Sequence, residues 1–242
     1  MAYLERSYRP TSADHPPSYA PTMTSEDPAS GAAKRASQPN QRTGRQIEIR
    51  DLRRDEIPEA VGVIARGMRD NPLHVAAYGD DPRRRLRCHH HLMLALLDTA
   101  TTLEPICALR DGVILGVAGI APPGTCQPTR RQRLSVLPRV AALGPTNARS
   151  VLSWTGTWSS RDLPQPHVHL GPVAVDSRLQ GQGIGSTLLH EHIRRLDHAG
   201  QIGYLETDKP TNVDFYQRFG YRVTATAAVI GVPNWFMTRM PA

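Results

Sequence analysis

The sequence predicts one α/β domain with a mixed sheet, and three observations lead to this expectation. Short apolar runs alternate with segments of helical periodicity from about residue 46 onwards. A glycine-rich loop follows one apolar run and opens an amphipathic helix. The chain has 242 residues, 39% hydrophobic and 21% charged, which is typical of a globular protein with one sizeable core and a tail.

The first 44 residues differ in composition from the rest. They are rich in Pro, Ser, Ala and Thr and contain almost no aliphatic run. Such a segment cannot bury enough surface to offset the entropy cost of ordering its chain. We therefore expect a disordered tail at 1–44 and a folded domain at 45–242.

Composition also bears on compartment and partners. No apolar run approaches the ~20 residues of a membrane span, and the N-terminus lacks an apolar signal core, so we expect a cytoplasmic protein without a membrane partner. Cys88, Cys107 and Cys126 are widely spaced, which favours reduced thiols over a disulfide framework or a zinc site.

The net charge of +7 would steer an anionic cofactor, or it reflects arginine usage alone. With only 5% aromatic residues, nucleic acid is not an expected partner.

Local patterns justify each element of the first half of the domain. Alternating apolar residues predict a strand, spacings of three and four predict helices, and the turn dipeptide Asp111-Gly112 between two apolar runs predicts a hairpin. The expected elements are a strand at 47–50, a helix capped by Asp55 and stopped at Asp70-Asn71-Pro72, a longer helix after Pro82, and hairpin strands at 106–109 and 113–120.

The second half of the domain begins with a stretch that carries no signature of chemistry. We expect 124–166 to be irregular and partly helical, either shaping a substrate pocket or packing on the sheet edge. After it we expect a strand at 169–175, a helix opened by Ser186 and capped by Gly200, a strand at 204–206, a short helix at 213–219, and strands near 221–229 and 235–239.

The glycine-rich loop lies between the strand at 169–175 and the helix that follows it. Glycine occupies every second position in the run Gly181, Gln182, Gly183, Ile184, Gly185 and Ser186. Without a Cβ, such a backbone can fold tightly and turn its N–H groups inward. The helix behind the loop adds unpaired N–H groups and a partial positive charge. The run therefore predicts a phosphate cradle built from main-chain amides.

Spacing separates the classes of protein that use such a cradle. A nucleoside-triphosphatase loop needs lysine before its Ser or Thr, and here Gly185 precedes Ser186. A dinucleotide fingerprint needs a third glycine where Ser186 stands, although Glu206 lies roughly where its ribose-binding acid is expected. Too little chain follows to complete that fold, so a dinucleotide-dependent oxidoreductase is the weaker alternative.

Gln180-x-x-Gly183-x-Gly185 resembles the Q/R-x-x-G-x-G/A signature of the GNAT (GCN5-related N-acetyltransferase) superfamily, whose loop holds the pyrophosphate of acetyl-coenzyme A. The segments at 204–207 and 212–221 resemble that superfamily's fifth strand, its following helix and its F-Y-x-x-x-G-F/Y turn. Within that superfamily, the segment from about Gly171 to Arg239 resembles the branch typified by puromycin N-acetyltransferase. The resemblance implies a mostly antiparallel twisted sheet flanked by helices, in an N-acetyltransferase domain at 45–242.

The resemblance also implies ligands and partners. Acetyl-coenzyme A is the expected co-substrate, and a small-molecule amine, such as an antibiotic or another toxin, is the expected acceptor. We expect a monomer or a homodimer. We expect no metal, because the consecutive histidines at 89–91 cannot converge on one ion from one helix, and His190 and His192 lack the i, i+4 spacing of zinc helices.

Cofactor contacts are predicted on the strand, the loop and the later helix. By resemblance, main-chain groups of the strand pair with the pantetheine arm, the loop amides hold the pyrophosphate, and the Gln180 side chain fixes the loop. Asn212, the expected N-cap of the helix, either touches the cofactor or only caps. The predicted cofactor-binding residues are Val173, Ala174, Val175, Gln180, Gly181, Gln182, Gly183, Ile184, Gly185, Ser186 and Asn212.

Two residues are predicted to be catalytic. Tyr216 occupies the motif tyrosine and could return a proton to the departing thiolate, or it is a packed aromatic residue. Glu206 ends a strand and could take the amine's proton directly or through water, bind the substrate's ammonium, or cap Thr207; His167 and His169 are alternative bases. A non-catalytic acyl-coenzyme A sensor and a transferase acting on a protein or peptide amine are the rival functions.

Overall fold

The computed structural model describes residues 46–99 and 102–242. Within these ranges one sheet has seven strands in the order β1-β2-β3-β4-β5-β7-β6. The strands are β1 (Glu48–Asp51), β2 (Ile106–Arg110), β3 (Val113–Ala121), β4 (Val168–Val175), β5 (Gly203–Thr207), β6 (Arg222–Val229) and β7 (Val232–Arg239). The helices are α1 (Ile57–Met68), α2 (Pro72–Tyr78), α3 (Pro82–Thr99), α4 (Arg130–Ala141), α5 (Pro145–Ser159), α6 (Ile184–Ala199) and α7 (Pro210–Gln217).

The sheet is mixed and mostly antiparallel, as predicted. Only β4 and β5 run parallel; every other neighbouring pair is antiparallel. The predicted hairpin is confirmed, with Asp111 and Gly112 at φ 54° and 78° in the turn between β2 and β3. Among the described residues, no helix is both long enough and apolar enough for a membrane crossing. The tail predicted at 1–44 lies outside the described residues.

Apolar cores form on the sheet and beside it. One core includes Leu188 and Leu196 of α6 together with Leu205 of β5. A second joins α1 and α3 to β2 and β3, with Ile64 completely buried. A third, smaller core contains Trp154 of α5 with residues of α2 and the β6–β7 turn. The alternating and helical patterns of the sequence are therefore satisfied by burial against the sheet.

Strand β4 carries the irregularity that shapes the site. Val173 pairs with Ala118 of β3, and Leu170 pairs with Ile120, so two residues of β4 stand opposite the single residue Gly119. The two strands lie very close together at this bulge. A Cβ on Gly119 would be only 2.5 Å from the carbonyl oxygen of Gly171, so glycine is needed there. On its other side, β4 pairs with β5 only at Val168 and His169. Beyond the bulge β4 therefore has a partner strand on one edge alone.

Three helix starts differ from the sequence predictions because prolines and glycines act where other caps were expected. Helix α1 has Glu56, not Asp55, as its N-cap, after a 3-10 turn at Arg54–Glu56. Pro72 was expected only to end a helix, but it also lies in the first turn of α2. The sequence analysis did not predict α2. Helix α6 begins at Ile184, directly after Gly183, and not at Ser186.

The stretch 124–166 is a helical pair, α4 and α5, placed beside the sheet. Its end is tied to the sheet by hydrogen bonds: Trp158 Nε1 donates to Asn234 Oδ1 of β7 at 3.1 Å, and the Tyr204 hydroxyl of β5 donates to the Arg161 carbonyl at 2.9 Å. Arg161 also lies over the ring of Phe236, 5.9 Å from its centroid. The pair thus covers the sheet face that carries Tyr204.

A buried histidine pair joins α2 to α3. His74 Nε2 lies 3.1 and 3.2 Å from the two ring nitrogens of His89, both side chains are buried, and the His74 ring packs against Trp154. Burial, followed by the nearby His90, lowers the pKa of His89 to about 3. Burial also lowers the pKa of His74, with His89 as the next cause. Both rings are therefore neutral in the folded protein across the physiological range.

We predict that this pair makes the fold sensitive to mild acid. Below about pH 6.5, the ordinary histidine pKa, both histidines bind protons in the unfolded chain but stay neutral in the folded protein. The free energy of unfolding therefore falls as pH falls from 7 to 5. Over that interval the free energy of unfolding of His89→Gln should fall by about 2 kcal/mol less than that of the unmodified protein. Urea unfolding at each pH measures this difference. The exposed control His198→Gln should keep the full pH dependence. An unchanged dependence in His89→Gln would contradict this explanation.

Candidate functional site

The glycine-rich loop joins β4 to α6. Gly181 and Gly183 have φ angles of 80° and 81°, and Gly183 is the left-handed N-cap of the helix. Residues with a Cβ rarely adopt this conformation, which explains why glycine recurs at these positions. The N-cap makes no side-chain hydrogen bond to the first turn of α6. The first turn is therefore not capped from within the loop.

The loop leaves a row of main-chain donors free. Among the described residues, no acceptor is bonded to the amides from Gly181 to Ser186. The next amide, that of Thr187, is already bonded, to the Gly183 carbonyl at 3.0 Å. The row faces outward at the positive end of the α6 dipole, where an anion is stabilised. The sequence predicts a phosphate cradle at these amides, and phosphate binding there stays a prediction.

Side chains from α1 and from the loop itself hold the cradle in place. Gln180 Nε2 donates to the Gly67 carbonyl at 3.1 Å and to the Val175 carbonyl at 3.2 Å. The buried Asp176 carboxylate accepts from Arg66 Nε at 2.8 Å and from Arg178. Hydrogen bonds from Arg178, and then from Arg66, hold the pKa of Asp176 well below its usual range. The base of the loop is thus fixed to the end of α1.

The edge of β4 next to the loop is open on the side of β5. Val173, Ala174 and Val175 pair with Ala118, Val117 and Gly116 of β3. On the opposite edge, no strand of the described chain pairs with these three residues, because β5 has already separated from β4. An extended ligand can therefore add main-chain hydrogen bonds along this edge as a further strand would.

Tyr216 lies on α7, which packs beside the first turn of α6. A Cβ on Gly185 would be 3.6 Å from Phe215, which places the aromatic residues of α7 next to the cradle. The Tyr216 ring packs 5.3 Å from the Phe215 ring and 6.1 Å from the Tyr221 ring, between centroids. Its hydroxyl makes no hydrogen bond within the described part of the chain. Burial, with Asp208 as the second cause, raises the pKa of Tyr216, so the phenol is protonated at neutral pH.

The position of Asn212 differs from the sequence prediction. The N-cap of α7 is Lys209, and Asn212 lies within the helix, where its amide donates to the Lys209 carbonyl at 3.0 Å. Pro210 begins the helix earlier because its fixed φ and missing N–H suit the first turn. Capping is therefore not the role of Asn212, and contact with the cofactor stays a prediction.

Glu206 and His169 form a pair where β4 and β5 separate. His169 Nε2 lies 2.8 Å from Glu206 Oε2, while the other carboxylate oxygen accepts no hydrogen bond from the described residues. Burial alone would lower the pKa of His169, but the Glu206 charge and contacts with Cys126 raise it above its ordinary value. Glu206 thus keeps an unoccupied proton acceptor, whereas Nε2 of His169 contacts Glu206 and Nε2 of His167 contacts Asp162.

Three further side chains meet beside His169 of this pair, and the sequence analysis did not connect them. Ligand atoms of Cys126, Asp162, His167 and His169 all lie within 4.8 Å of one another. The Cys126 thiol donates to Asp162 Oδ2 at 3.0 Å, and His167 Nε2 lies 2.9 Å from Asp162 Oδ1. Cys126 and Asp162 are separated in sequence by α4 and α5, and the two histidines lie at the start of β4, so no sequence spacing indicates the cluster.

Comparison with known proteins agrees with this geometry. A sequence profile described as the acetyltransferase (GNAT) family matches residues 71–221. This match covers more than half of the chain, from α2 to the end of the turn that follows α7. The chain belongs to the acetyltransferase (GNAT) family.

Solved structures resemble the fold over most of its length. A structure of "histone acetyltransferase HPA2 and related acetyltransferase" from Corynebacterium glutamicum has a TM-score of 0.62 at 21% identity, covering 81% of this chain and 97% of that one. The polyamine N-acetyltransferase of Drosophila melanogaster has a TM-score of 0.57 at 14% identity, covering 81% and 100%. An agmatine N-acetyltransferase has a TM-score of 0.56 at 15% identity, covering 80% and 99%. At these identities the likeness concerns the fold.

We predict that Gln180→Ala weakens coenzyme A binding about tenfold, because two hydrogen bonds to the loop base are lost while every loop amide is kept. Isothermal titration calorimetry with coenzyme A measures this. Gln182→Ala is the matched control, since the exposed Gln182 side chain makes no hydrogen bond among the described residues, and it should change the affinity less than threefold. Equal losses in both variants would contradict a fixing role for Gln180.

Proposed function

We propose that this protein transfers the acetyl group of acetyl-coenzyme A to an amine of a small molecule. The observation that carries the proposal is the continuity between the row of free amides at Gly181–Ser186 and the open edge of β4 at Val173–Val175. A diphosphate with an extended amide-containing arm matches these two surfaces in that order. The family membership of the chain supports the same co-substrate.

The direction of the β4 edge supports a location for the reacting centre. With the pyrophosphate on the loop amides, the pantetheine arm would run back along Val175, Ala174 and Val173 towards the point where β5 diverges. The thioester would then lie between β4 and β5, on the side of the sheet gap that α7 borders. Glu206 lies near the end of β5, on one side of this gap. Tyr216 lies on α7, the helix that follows β5.

An amine acceptor fits the charges around the gap. Glu206 offers a carboxylate oxygen that no described residue occupies, which is suited to an ammonium group. Structures similar in fold are named for agmatine and polyamine substrates, which are small amines. The resemblance of Gly171–Arg239 to the puromycin N-acetyltransferase branch also favours a small molecule, with an antibiotic as one possible acceptor.

The reaction requires two protons to leave the nitrogen of an ammonium substrate and one proton to reach the sulfur. A free alkylamine has a pKa near ~10, so it arrives as an ammonium and must lose a proton before attack. Glu206, directly or through a water, would take that proton and pass it to solvent, and the neutral nitrogen would add to the thioester carbonyl. The nitrogen of the tetrahedral adduct would then lose its second proton to Glu206 or to water. As the C–S bond breaks, the Tyr216 hydroxyl would give its proton to the thiolate and be reprotonated from solvent. The products are the N-acetyl amide and coenzyme A.

The test of the function is thioester consumption by the full chain with a panel of amines. Polyamines, aminonucleoside and aminoglycoside antibiotics, amino acids and peptides would each be incubated with acetyl-coenzyme A, and free thiol would be measured. Acetylation of a small amine supports the proposal. Binding of acetyl-coenzyme A without turnover on any amine would indicate the acyl-coenzyme A sensor, and turnover on peptides alone would indicate a protein acetyltransferase.

We predict that Tyr216→Phe lowers kcat by about 10²-fold and leaves acetyl-coenzyme A affinity unchanged, because only the proton donor is removed. Steady-state kinetics and calorimetry on the same preparation measure both quantities. Tyr78→Phe is the control, because the buried Tyr78 hydroxyl also lacks a partner among the described residues but lies in another core. Unchanged turnover in Tyr216→Phe would leave this residue with a packing role only.

We predict that Glu206→Gln lowers kcat by about 10²-fold with little change in the KM for the amine, as expected for loss of a base. A base and an ammonium-binding group are separated by this measurement, since loss of binding alone would raise KM and spare kcat. The exposed Glu48→Gln variant on β1 serves as a charge-matched control and should behave as the unmodified protein. A rise in KM alone would assign Glu206 to substrate binding.

A further inference from the structure

We propose that Cys126, Asp162, His167 and His169 form a binding site for a transition-metal ion of the zinc class. The candidate ligand atoms all lie within 4.8 Å of one another. The site lies next to Glu206, and His169 contacts it. Metal affinity is measured without turnover, so the proposal does not depend on the proposed acetyl transfer. It differs from the expectation of no metal, which considered the histidine runs on helices and not this cluster.

The spacing of the cluster is close to that of a coordination shell. Tetrahedral zinc, with bonds of about 2.0–2.3 Å, holds its ligand atoms about 3.3–3.6 Å apart. Cys126 Sγ lies 3.7 Å from His167 Nε2 and 3.0 Å from Asp162 Oδ2, and His167 Nε2 lies 2.9 Å from Asp162 Oδ1. Small side-chain rotations would therefore be enough to surround an ion.

The type of ligand selects the ion. One thiol, two imidazoles and one carboxylate match the sulfur, nitrogen and oxygen donors that zinc takes in proteins. Magnesium and calcium prefer sites built from oxygen alone, so these ions should not compete. Coordination would release the thiol proton of Cys126 to solvent, since the thiolate is the binding form.

Hydrogen bonding around His167 leaves a place for a cation. His167 Nδ1 lies 2.8 Å from the Gln165 carbonyl oxygen, which can only accept a hydrogen bond. Nδ1 therefore carries the proton, and Nε2 of a neutral ring presents a lone pair to the Asp162 carboxylate. The two groups face each other at 2.9 Å, a position that a cation between them would bridge. A backbone carbonyl that fixes the tautomer is a common outer partner of metal-binding histidines.

His169 has an outer partner of the same kind. Its Nε2 is engaged with Glu206 Oε2 at 2.8 Å, which leaves the other ring nitrogen for an ion. A carboxylate behind a ligand histidine orients the ring and increases its basicity. Both histidines therefore have the second partner that a metal site requires.

Metal binding would link three parts of the chain that the fold otherwise joins weakly. Cys126 lies between β3 and α4, Asp162 follows α5, and the two histidines begin β4. An ion would therefore fasten the α4–α5 pair to the start of the strand that carries the open edge. The expected consequences are zinc affinity and a rise in thermal stability, both independent of turnover.

The test uses the full chain, stripped with a chelator and titrated with Zn²⁺ against a chromophoric chelator. We expect one ion per chain with a dissociation constant below about 1 µM, no response to Mg²⁺, and a higher Tm with Zn²⁺. Cys126→Ser and His167→Gln should each weaken binding about 10–100-fold or more. The double variant Cys88→Ser/His91→Gln, which changes the Cys-His run on α3, is the control and should bind as the unmodified protein.

Cobalt provides a second readout that a merely structural role of these residues would not change. Co²⁺ bound by the cluster should show a thiolate charge-transfer band that is lost in Cys126→Ser and kept in the Cys88→Ser/His91→Gln control. His167→Gln keeps the test valid where Cys126→Ser folds poorly. Absence of Zn²⁺ binding by the unmodified chain, or equal binding by the cluster variants and the control, would overturn the proposal.

Discussion

The structure depends above all on the separation of β4 from β5. Parallel strands normally pair over their length, yet these two pair only at Val168 and His169. The bulge opposite Gly119 redirects β4, and β5 continues with β7 as its antiparallel partner. The sheet is thereby kept intact on both sides of a gap, and an unpaired main-chain edge is held at the surface by strands that are themselves well buried. Such an edge is costly unless a ligand or solvent satisfies it.

The gap, the loop and the side chains of Glu206 and Phe215 are linked by shared contacts in this arrangement. The open edge ends at Val175, whose carbonyl is bonded by Gln180 of the loop, so edge and loop share an anchor. The loop leads into α6, and α6 packs against Phe215 of α7. Glu206 lies on β5, on the far side of the gap from the edge. A short region of main chain thus brings a row of free amides, an unpaired strand edge and the Glu206 carboxylate together.

Much of this could be predicted from the sequence because the determining signals are local. Glycine alternation indicated the cradle, alternating apolar residues indicated the strands, and the Asp111-Gly112 dipeptide indicated the hairpin. The Cys126 cluster could not be predicted in this way, because its residues are brought together by two helices and a strand whose packing no local pattern reports. The predicted start of α7 was wrong because the helix begins at Pro210, before Asn212. The His169–Glu206 contact likewise depends on the register of β4 against β5, which periodicity does not fix.

The central claim is that main-chain amides of the loop and of β4 grip coenzyme A. The most direct measurement is a titration of the ¹⁵N-labelled full chain with coenzyme A, following backbone amide shifts by NMR, with NAD as the comparison ligand. We predict that the largest shifts occur at Gly181–Ser186 and Val173–Val175 and that NAD does not produce them. Saturable binding of coenzyme A that leaves these amides unchanged, or the same shifts with NAD, would contradict the claim.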